Sequence, residues 1–151
     1  MYWLICVIIF ILLYLLDQIT KALAYKYFRN GKINLSKHIV FTYLENKGGF
    51  SGFLSNHPIV LLIINIIAIV FFSIFLIPQY VVLRFNFFSV FVSLFLCGAC
   101  GNLTDRIIRG HVIDFVYFQY KKNSSKVFNL ADFYIFIGFI GMIVGAIYYG
   151  L

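Results

Sequence analysis

The chain has 151 residues, of which 63% are hydrophobic and only 11% charged, and its mean hydropathy is +0.98. These values lie far outside the composition of soluble globular domains, so they exclude a soluble enzyme or a soluble binding module. Twelve Lys and Arg outnumber five Asp and Glu, but the basic residues lie between apolar segments, which favours anionic lipid headgroups over nucleic acid as neighbours. We therefore predict an integral membrane protein that binds no nucleic acid.

Four apolar segments predict an all-α fold with four transmembrane helices in a single membrane domain, residues 1–151. The segments cover residues 2–25, 59–77, 85–105 and 132–150, and about 20 apolar residues suffice to span a bilayer. The first segment lacks the basic start and the small-residue cleavage site of a signal peptide, so we interpret it as a retained helix. Pro58 marks the start of the second segment and Pro78 its end.

Two long connections, residues 26–57 and 107–128, lie on the same side of the membrane if helix direction alternates. Within them, β-branched and aromatic residues at 39–44 and 112–118 predict a small extramembrane β element on this side. Two glycines in Asn46-Lys47-Gly48-Gly49 predict a turn. A second, exposed turn is predicted at residues 121–126.

Small residues predict that the third and fourth helices pack closely. Gly98-Ala99-Cys100-Gly101 ends the apolar part of the third helix, and Gly138, Gly141 and Gly145 follow one face of the fourth. Such surfaces let helix backbones approach each other in membranes.

The cysteines and histidines indicate no metal site and no cofactor. The three His are scattered and no HExxH motif is present. Cys97 and Cys100 form a CxxC, but inside an apolar helix these positions are simply neighbours on one face, since reactive thiols need an electropositive, partly exposed setting.

Four of the five acidic residues lie near helix ends on the side of the long connections: Asp17, Asp105, Asp114 and Asp132. Ionisable groups near hydrocarbon cost on the order of a few kcal/mol each, so they are seldom present without a use. Two carboxylates that share a low-dielectric site share one proton, and such a pair can activate water and protonate a leaving amine. The pattern predicts a catalytic pair of aspartates.

Each aspartate also has a structural interpretation. Asn129 and Asp132 have the spacing of a helix cap. Asp105 with Arg109, and Asp17 with Lys21, have the i, i+4 spacing of helical salt bridges. Asp114 is harder to explain structurally, because it is a single acid in an apolar, strand-like run.

Five motifs, in order along the chain, resemble those of bacterial lipoprotein signal peptidases, the signal peptidase II family of membrane aspartic endopeptidases. They are Asp17-Gln18-x-Thr20-Lys21, Asn46-x-Gly48, Gly101-Asn102-x-x-Asp105-Arg106, Gly110-x-Val112-x-Asp114-Phe115 and Phe128-Asn129-x-Ala131-Asp132. One departure lies at Gly49-Phe50-Ser51, where many members have two alanines and an aromatic residue.

The resemblance implies cleavage of a diacylglyceryl-modified prolipoprotein just before its lipidated cysteine. It implies Asp114 and Asp132 as the catalytic pair, lipidated prolipoprotein and membrane lipids as partners, and no metal; we expect a monomer. The residues implied to line the cleft or contact substrate are Asn102, Arg106, Asn129, Asn46, Gly48, Lys21 and Asp17, and those implied to be structural are Asp105, Gly101 and Ala131.

The distribution of basic residues conflicts with the orientation that the resemblance implies. Of the Lys and Arg, only Arg84 falls on the side of the chain termini, so the positive-inside rule places both long connections in the cytoplasm. The resemblance instead implies a multi-pass protein of the bacterial cytoplasmic (inner) membrane with its active site near the periplasmic or outer face. We follow the resemblance.

Two other functions are compatible with four apolar helices. A small dimeric proton-coupled transporter needs an acid within the span and short loops, whereas here the acids gather at one surface beside two long connections. A structural membrane subunit would use the polar motifs only as caps and salt bridges.

Overall fold

The computed structural model describes residues 2–49, 53–81, 86–119 and 126–149. These residues form four helices and a small antiparallel sheet. In chain order the elements are α1 (Tyr2–Phe28), β1 (Ile33–Asn34), β2 (Ile39–Asn46), α2 (Pro58–Val81), α3 (Phe87–Arg109), β3 (Val112–Phe118), β4 (Val127–Phe128) and α4 (Leu130–Tyr149).

Among the described residues, three helices are long and apolar enough to cross a membrane. The spans are Leu4–Phe28 in α1, Phe87–Arg109 in α3 and Leu130–Tyr149 in α4, with mean hydropathies of 2.1, 1.7 and 2.1. In α2 the apolar stretch that qualifies, Pro58–Ile74, is shorter. The mostly helical membrane fold is thus confirmed, with three of the four predicted spans supported.

Helix α2 continues through Pro78 to Val81, so the prediction that it ends at residue 77 is wrong. Proline removes one backbone hydrogen bond, but membrane helices tolerate this loss because neighbouring groups satisfy the freed carbonyl. The predicted link from Pro78 to Arg84 therefore begins later, and residues 82–85 lie outside the described part of the chain.

The ends of α3 also differ from the predicted 85–105. The Asn86 side chain accepts a hydrogen bond from Ser89 N and caps the start, so the helix begins at Phe87. At the other end it extends to Arg109, and Gly110 ends it with a positive φ of 75°, a conformation that glycine adopts at low cost. Helix α1 likewise runs past residue 25 to Phe28, and α4 begins at Leu130 rather than at residue 132.

The sheet has the order β1-β2-β3-β4, with antiparallel neighbours. The predicted strands at 39–44 and 112–118 are confirmed as β2 and β3. A register shift between Phe41 and Leu44 brings Leu44 opposite Asp114. The two-residue strands β1 and β4 are too short to give a sequence pattern. Residues 50–51 and 120–125, which include the departure from the family motif and most of the predicted exposed turn, lie outside the described residues.

Glycines bring three helices together below the sheet, as predicted for α3 and α4. A Cβ atom at Gly138 would lie 2.6 Å from Phe95 N, and one at Gly98 would overlap Ala131 O. A Cβ at Gly101 would lie 2.6 Å from Asp17 Oδ2, so this glycine admits α1 as well. The close packing places the polar end of α3 directly beside the start of α4.

Candidate active site

Asp114 and Asp132 both border one cleft between the sheet and the helices, with a volume of about 1240 Å³. Asp114 projects from β3 and is 2% exposed. Asp132 lies in the first turn of α4 and is half-buried. The sheet and α4 thus bring together two acids that are 18 residues apart in the sequence, counting from 114 to 132.

Each of the four carboxylate oxygens of this pair accepts an N–H hydrogen bond. Asp114 accepts from Asn129 Nδ2 at 2.7 Å and from Asn46 Nδ2 at 2.9 Å. Asp132 accepts from Asn102 Nδ2 at 3.0 Å and from Asn129 N at 3.2 Å. All these donors are amides, and neither acid makes a salt bridge with a described residue.

The surroundings favour the protonated form of Asp114. Burial raises the pKa of Asp114 from its ordinary value of 3.8 to about 7, and the negative charge of Asp132 contributes to the rise. The hydrogen bonds from Asn46 and Asn129 act in the opposite direction, because they favour the carboxylate. Two neighbouring carboxylates titrate as a coupled pair, so the charge of one makes ionisation of the other less favourable.

The Asn102 amide is held in one orientation by a buried lysine. Lys21 Nζ donates to Asn102 Oδ1 at 3.0 Å, and Asn129 Nδ2 approaches the same oxygen at 3.2 Å. With two donors at its oxygen, Asn102 presents its Nδ2 to Asp132. The orientation of the Asn102 amide is therefore set by a cation that does not contact Asp114 or Asp132.

Lys21 is itself held by two acids, with no side-chain exposure. Its Nζ lies 2.8 Å from Asp17 Oδ2 and 3.0 Å from Asp105 Oδ2. Asp105 also forms an ion pair with Arg109. We call these four residues the buried ion network. It fastens other elements too, because Asp17 Oδ1 accepts from Ala131 N at 3.0 Å and Asp105 Oδ2 from Ile113 N at 3.3 Å.

Asn46 and Arg106 shape the rim of the cleft. Asn46 Oδ1 accepts from Gly48 N at 2.9 Å, which forms the predicted turn, while its Nδ2 reaches Asp114. Arg106 donates to Gly48 O and to Asn102 O, each at 3.2 Å. The guanidinium thus ties the turn to α3 and places a positive charge on the cleft wall.

Away from the two acids the cleft is apolar and lies between three helices. Its lining there includes Leu61, Ile64 and Ala68 from α2, Phe95 from α3, and Phe136 and Phe139 from α4. The cavity therefore offers a polar, carboxylate-bearing end and a long apolar end, which suits a ligand with a peptide part and hydrocarbon chains.

A family model described as signal peptidase (SPase) II matches residues 9–148. The chain belongs to the signal peptidase II family. It is similar to the lipoprotein signal peptidase of Caldicellulosiruptor bescii, with 37% identity over 137 residues that cover 89% of this chain and 82% of the relative. It is also similar to that of Thermodesulfovibrio yellowstonii, with 38% identity over 133 residues and 85% of each chain covered.

A solved structure has the same fold. A bacterial membrane enzyme determined by the in meso method at 2.3 Å resolution superposes with a TM-score of 0.76 at 26% identity, covering 94% of this chain and 87% of the other. The resemblance drawn from the motifs is thus confirmed. Membership of a signal peptidase family identifies the protein as a peptidase and decides against the transporter alternative.

In this signal peptidase II family member, the residues expected to line the cleft fall into two groups. Asn46, Gly48, Asn102 and Arg106 do border it. Asp17, Lys21 and Asn129 do not: each is 0% exposed and lies behind the cleft wall. The expectation that Asn129 lines the cleft is therefore corrected, because close helix packing covers it. Asp17 and Lys21 were expected to support or contact substrate, and in the structure Lys21 contacts Asn102, which borders the cleft.

The structural interpretations also hold. Asp132 N donates to Asn129 Oδ1 at 3.0 Å and Asn129 N to Asp132 Oδ2 at 3.2 Å, which is the reciprocal cap predicted from the spacing. The salt bridges of Asp17 with Lys21 and Asp105 with Arg109 are present as well. Asn129 has both roles: its backbone N–H and Oδ1 cap α4, and its Nδ2 donates to Asp114.

Among the polar residues of the cleft that the sequence did not predict, Asn65 lies deepest in an apolar helix segment. Asn65 in α2 borders the cavity and donates to Ala99 O at 3.3 Å. The available signal was a single Asn within the apolar run 59–77. Within the described part of the chain, no group of three or more His, Cys, Asp or Glu has the arrangement of a metal site.

Proposed function

We propose that this peptidase is an aspartic endopeptidase that removes the signal peptide from diacylglyceryl-modified prolipoproteins, cutting just before the lipidated cysteine. The observation that carries the proposal is the meeting of Asp114 and Asp132 at the polar end of an otherwise apolar cleft. The names of the relatives, lipoprotein signal peptidases, support the same substrate class.

The chemistry assigned to the pair needs one charged and one protonated carboxyl. We assign the proton to Asp114, because its pKa of about 7 is raised by burial and by the charge of Asp132. We assign the charge to Asp132, because it lies in the first turn of α4, where the helix dipole and a backbone N–H favour an anion. Asp132 then takes a proton from water as the water attacks the scissile carbonyl, and Asp114 donates its proton to the departing nitrogen.

The amides support this division of roles. Asn102 and Asn129 contact both members of the pair directly or through each other, so they hold the carboxyls in fixed orientation while the proton changes place. Preorganised donors of this kind cost no rearrangement during reaction.

The proposal also includes the arrangement of the chain in the membrane. All four helices cross the bacterial inner membrane in this proposal, with α2 as the fourth span, and the sheet and both acids lie near the outer face. The apolar end of the cleft, between α2, α3 and α4, receives the acyl chains and the apolar signal peptide from the bilayer. A monomer contains both acids and needs no second copy.

The proposal is tested by assaying purified protein with a lipidated precursor peptide. We expect Asp114→Asn and Asp132→Asn each to abolish cleavage, because neither variant retains one acid and one base. Glu45→Gln is the matched control, since Glu45 also borders the cleft but contacts neither acid, and it is expected to retain cleavage. We also expect chelators to leave activity unchanged. Substantial cleavage by either Asp variant would refute the assignment of the pair.

A further inference from the structure

The edge strand of the sheet carries an apolar side chain on the side that faces the helices. Ile33 in β1 is paired with Phe41 in β2, and Phe41 with Val116 in β3. Directly opposed residues of antiparallel strands project to the same face, as does Asp114, which lies two residues from Val116. Ile33 therefore projects toward the side of the catalytic pair and the helices.

Leu35 extends this apolar edge. Its N–H donates to Ile39 O at 3.0 Å, which continues the register beyond β1 and places Leu35 on the same face as Ile33. Ile33 is 52% exposed and Leu35 63% exposed. Neither residue borders the cleft of the active site. Large apolar side chains exposed together on one face indicate a contact surface.

The end of α1 places this edge at the level of the membrane surface. Tyr25 and Arg29 lie at or just beyond the end of the span Leu4–Phe28, and Arg29 lies 4.9 Å from the centre of the Tyr25 ring. Tyrosine and basic residues at the end of a span are typical of the membrane–water interface. Phe28 stacks on Phe41 at 5.6 Å between ring centres, so the row of residues that includes Ile33 lies at this depth.

Positively charged residues outnumber acidic residues around the edge. Four exposed cations flank it, at Lys26, Arg29, Lys32 and Lys37. Glu45 is the chain's only acid outside the catalytic pair and the buried ion network, and it accepts a hydrogen bond from Tyr43 at 2.9 Å. Four cations against this one acid leave a net positive, apolar surface at the interface, which complements anionic headgroups, each nearby cation contributing roughly fivefold to binding.

We propose that the edge-strand surface, comprising Ile33, Leu35 and the four cations that flank them, binds anionic phospholipids of the leaflet that contains the active site. The two apolar side chains insert among the acyl chains, and the cations contact the headgroup phosphates. This binding explains why basic residues gather on the side where the positive-inside rule does not place them. The inference rests on the proposed membrane location and is independent of the chemistry of the aspartate pair.

The test uses the full chain in vesicles with a single fluorescent probe. Trp3 is the only tryptophan, so Trp3→Phe with Leu35→Trp reports contact of the edge with lipid, and Ile33→Trp serves as a second probe position if the first variant does not fold. Brominated phosphatidylglycerol and brominated phosphatidylcholine are compared as quenchers. We expect the anionic lipid to be preferred by roughly fivefold or more, and salt to weaken the preference.

Charge variants of the protein that carries the Trp probe distinguish binding of anionic headgroups from mere burial of the probe in the bilayer. Lys32→Gln with Lys37→Gln is expected to reduce the preference severalfold, whereas Lys32→Arg with Lys37→Arg should retain it. Equal quenching by the two lipids, no quenching by either, or a preference unaffected by the glutamine pair would overturn the inference. A preference that appears only with precursor peptide present would also overturn it, because the surface would then bind substrate.

Cleavage measured in the same vesicles distinguishes failure of this inference from failure of the proposed function. Absence of the lipid preference with cleavage intact overturns only the lipid surface. A lipid preference in a protein that does not cleave the precursor supports the surface and counts against the assigned activity.

Discussion

The two groups of aspartates in this molecule differ in their partners. Asp17 and Asp105 contact the ammonium of Lys21, and Asp105 also contacts Arg109. Asp114 and Asp132 contact only amides among the described residues. A neighbouring cation compensates the charge of a buried carboxylate, whereas amide donors solvate the carboxylate without neutralising its charge.

This difference separates the aspartates that join helices from the two that we propose as catalytic. The buried ion network ties α1 to α3, to the start of α4 and to the start of β3. Asp114 and Asp132, the proposed catalytic pair, border the cleft. Asn102 connects the two, since it accepts from Lys21 and donates to Asp132.

The comparison between the two groups predicts the largest loss of stability for Lys21→Met. Removing the ammonium leaves Asp17 and Asp105 buried beside each other without it, and loss of one partner of a buried ion pair costs about 3–5 kcal/mol. We expect thermal unfolding in detergent to occur at a much lower temperature. Lys26→Met, an exposed position of the same helix, is the control and should unfold like the parent protein. Equal stability of the two variants would show that the network does not hold the helices together.

A second prediction contrasts the same substitution in the two groups. At pH 8, Asp105→Asn should destabilise the protein by roughly 1–3 kcal/mol, because Asn does not neutralise Lys21 and Arg109. Asp114→Asn should stabilise it by about 1 kcal/mol or more. The sign follows from the pKa of Asp114, which is higher in the folded protein, at about 7, than the ordinary 3.8. The folded state therefore loses stability as pH rises between these values.

The measurement is the unfolding temperature of both variants against the parent at pH 8 and at pH 5. The increase in unfolding temperature caused by Asp114→Asn should be smaller at pH 5, where Asp114 of the folded parent protein is protonated. If both variants destabilise the protein equally at pH 8, the distinction between scaffold and catalytic acids is wrong.

Local sequence patterns predicted the parts of the fold that depend on near neighbours. The i, i+4 spacings predicted the pairs of Asp17 with Lys21 and Asp105 with Arg109, and alternation of β-branched and aromatic residues predicted β2 and β3. Pro78 led to a wrong prediction of where α2 ends. A single proline removes only one backbone hydrogen bond, a loss that membrane helices can tolerate, and α2 continues to Val81.

The central contact of the site had no local signature. Lys21 meets Asn102 across 81 residues, and the contact depends on Gly101, which has no Cβ to hold α1 away from α3. The sequence thus identified Lys21 as part of a motif that supports or contacts substrate, without indicating its contact with Asn102. Its burial, and the amide orientation that it sets, emerge only when three helices pack together.

The last comparison concerns the two sources of the raised pKa of Asp114, and it predicts the pH dependence of cleavage. The proposed mechanism requires a proton on Asp114, so it predicts that kcat/KM falls as pH rises through about 7 and declines about tenfold per pH unit beyond. Asn46→Ala removes a hydrogen bond that lowers this pKa, so its declining limb should move to higher pH. Asp132→Asn removes the neighbouring charge, so the Asp114 carboxyl band in infrared titration should move to lower pH. A rate that stays constant to pH 9 in the parent protein would show that Asp114 is not the proton donor, and unchanged profiles in both variants would show that burial alone sets its titration.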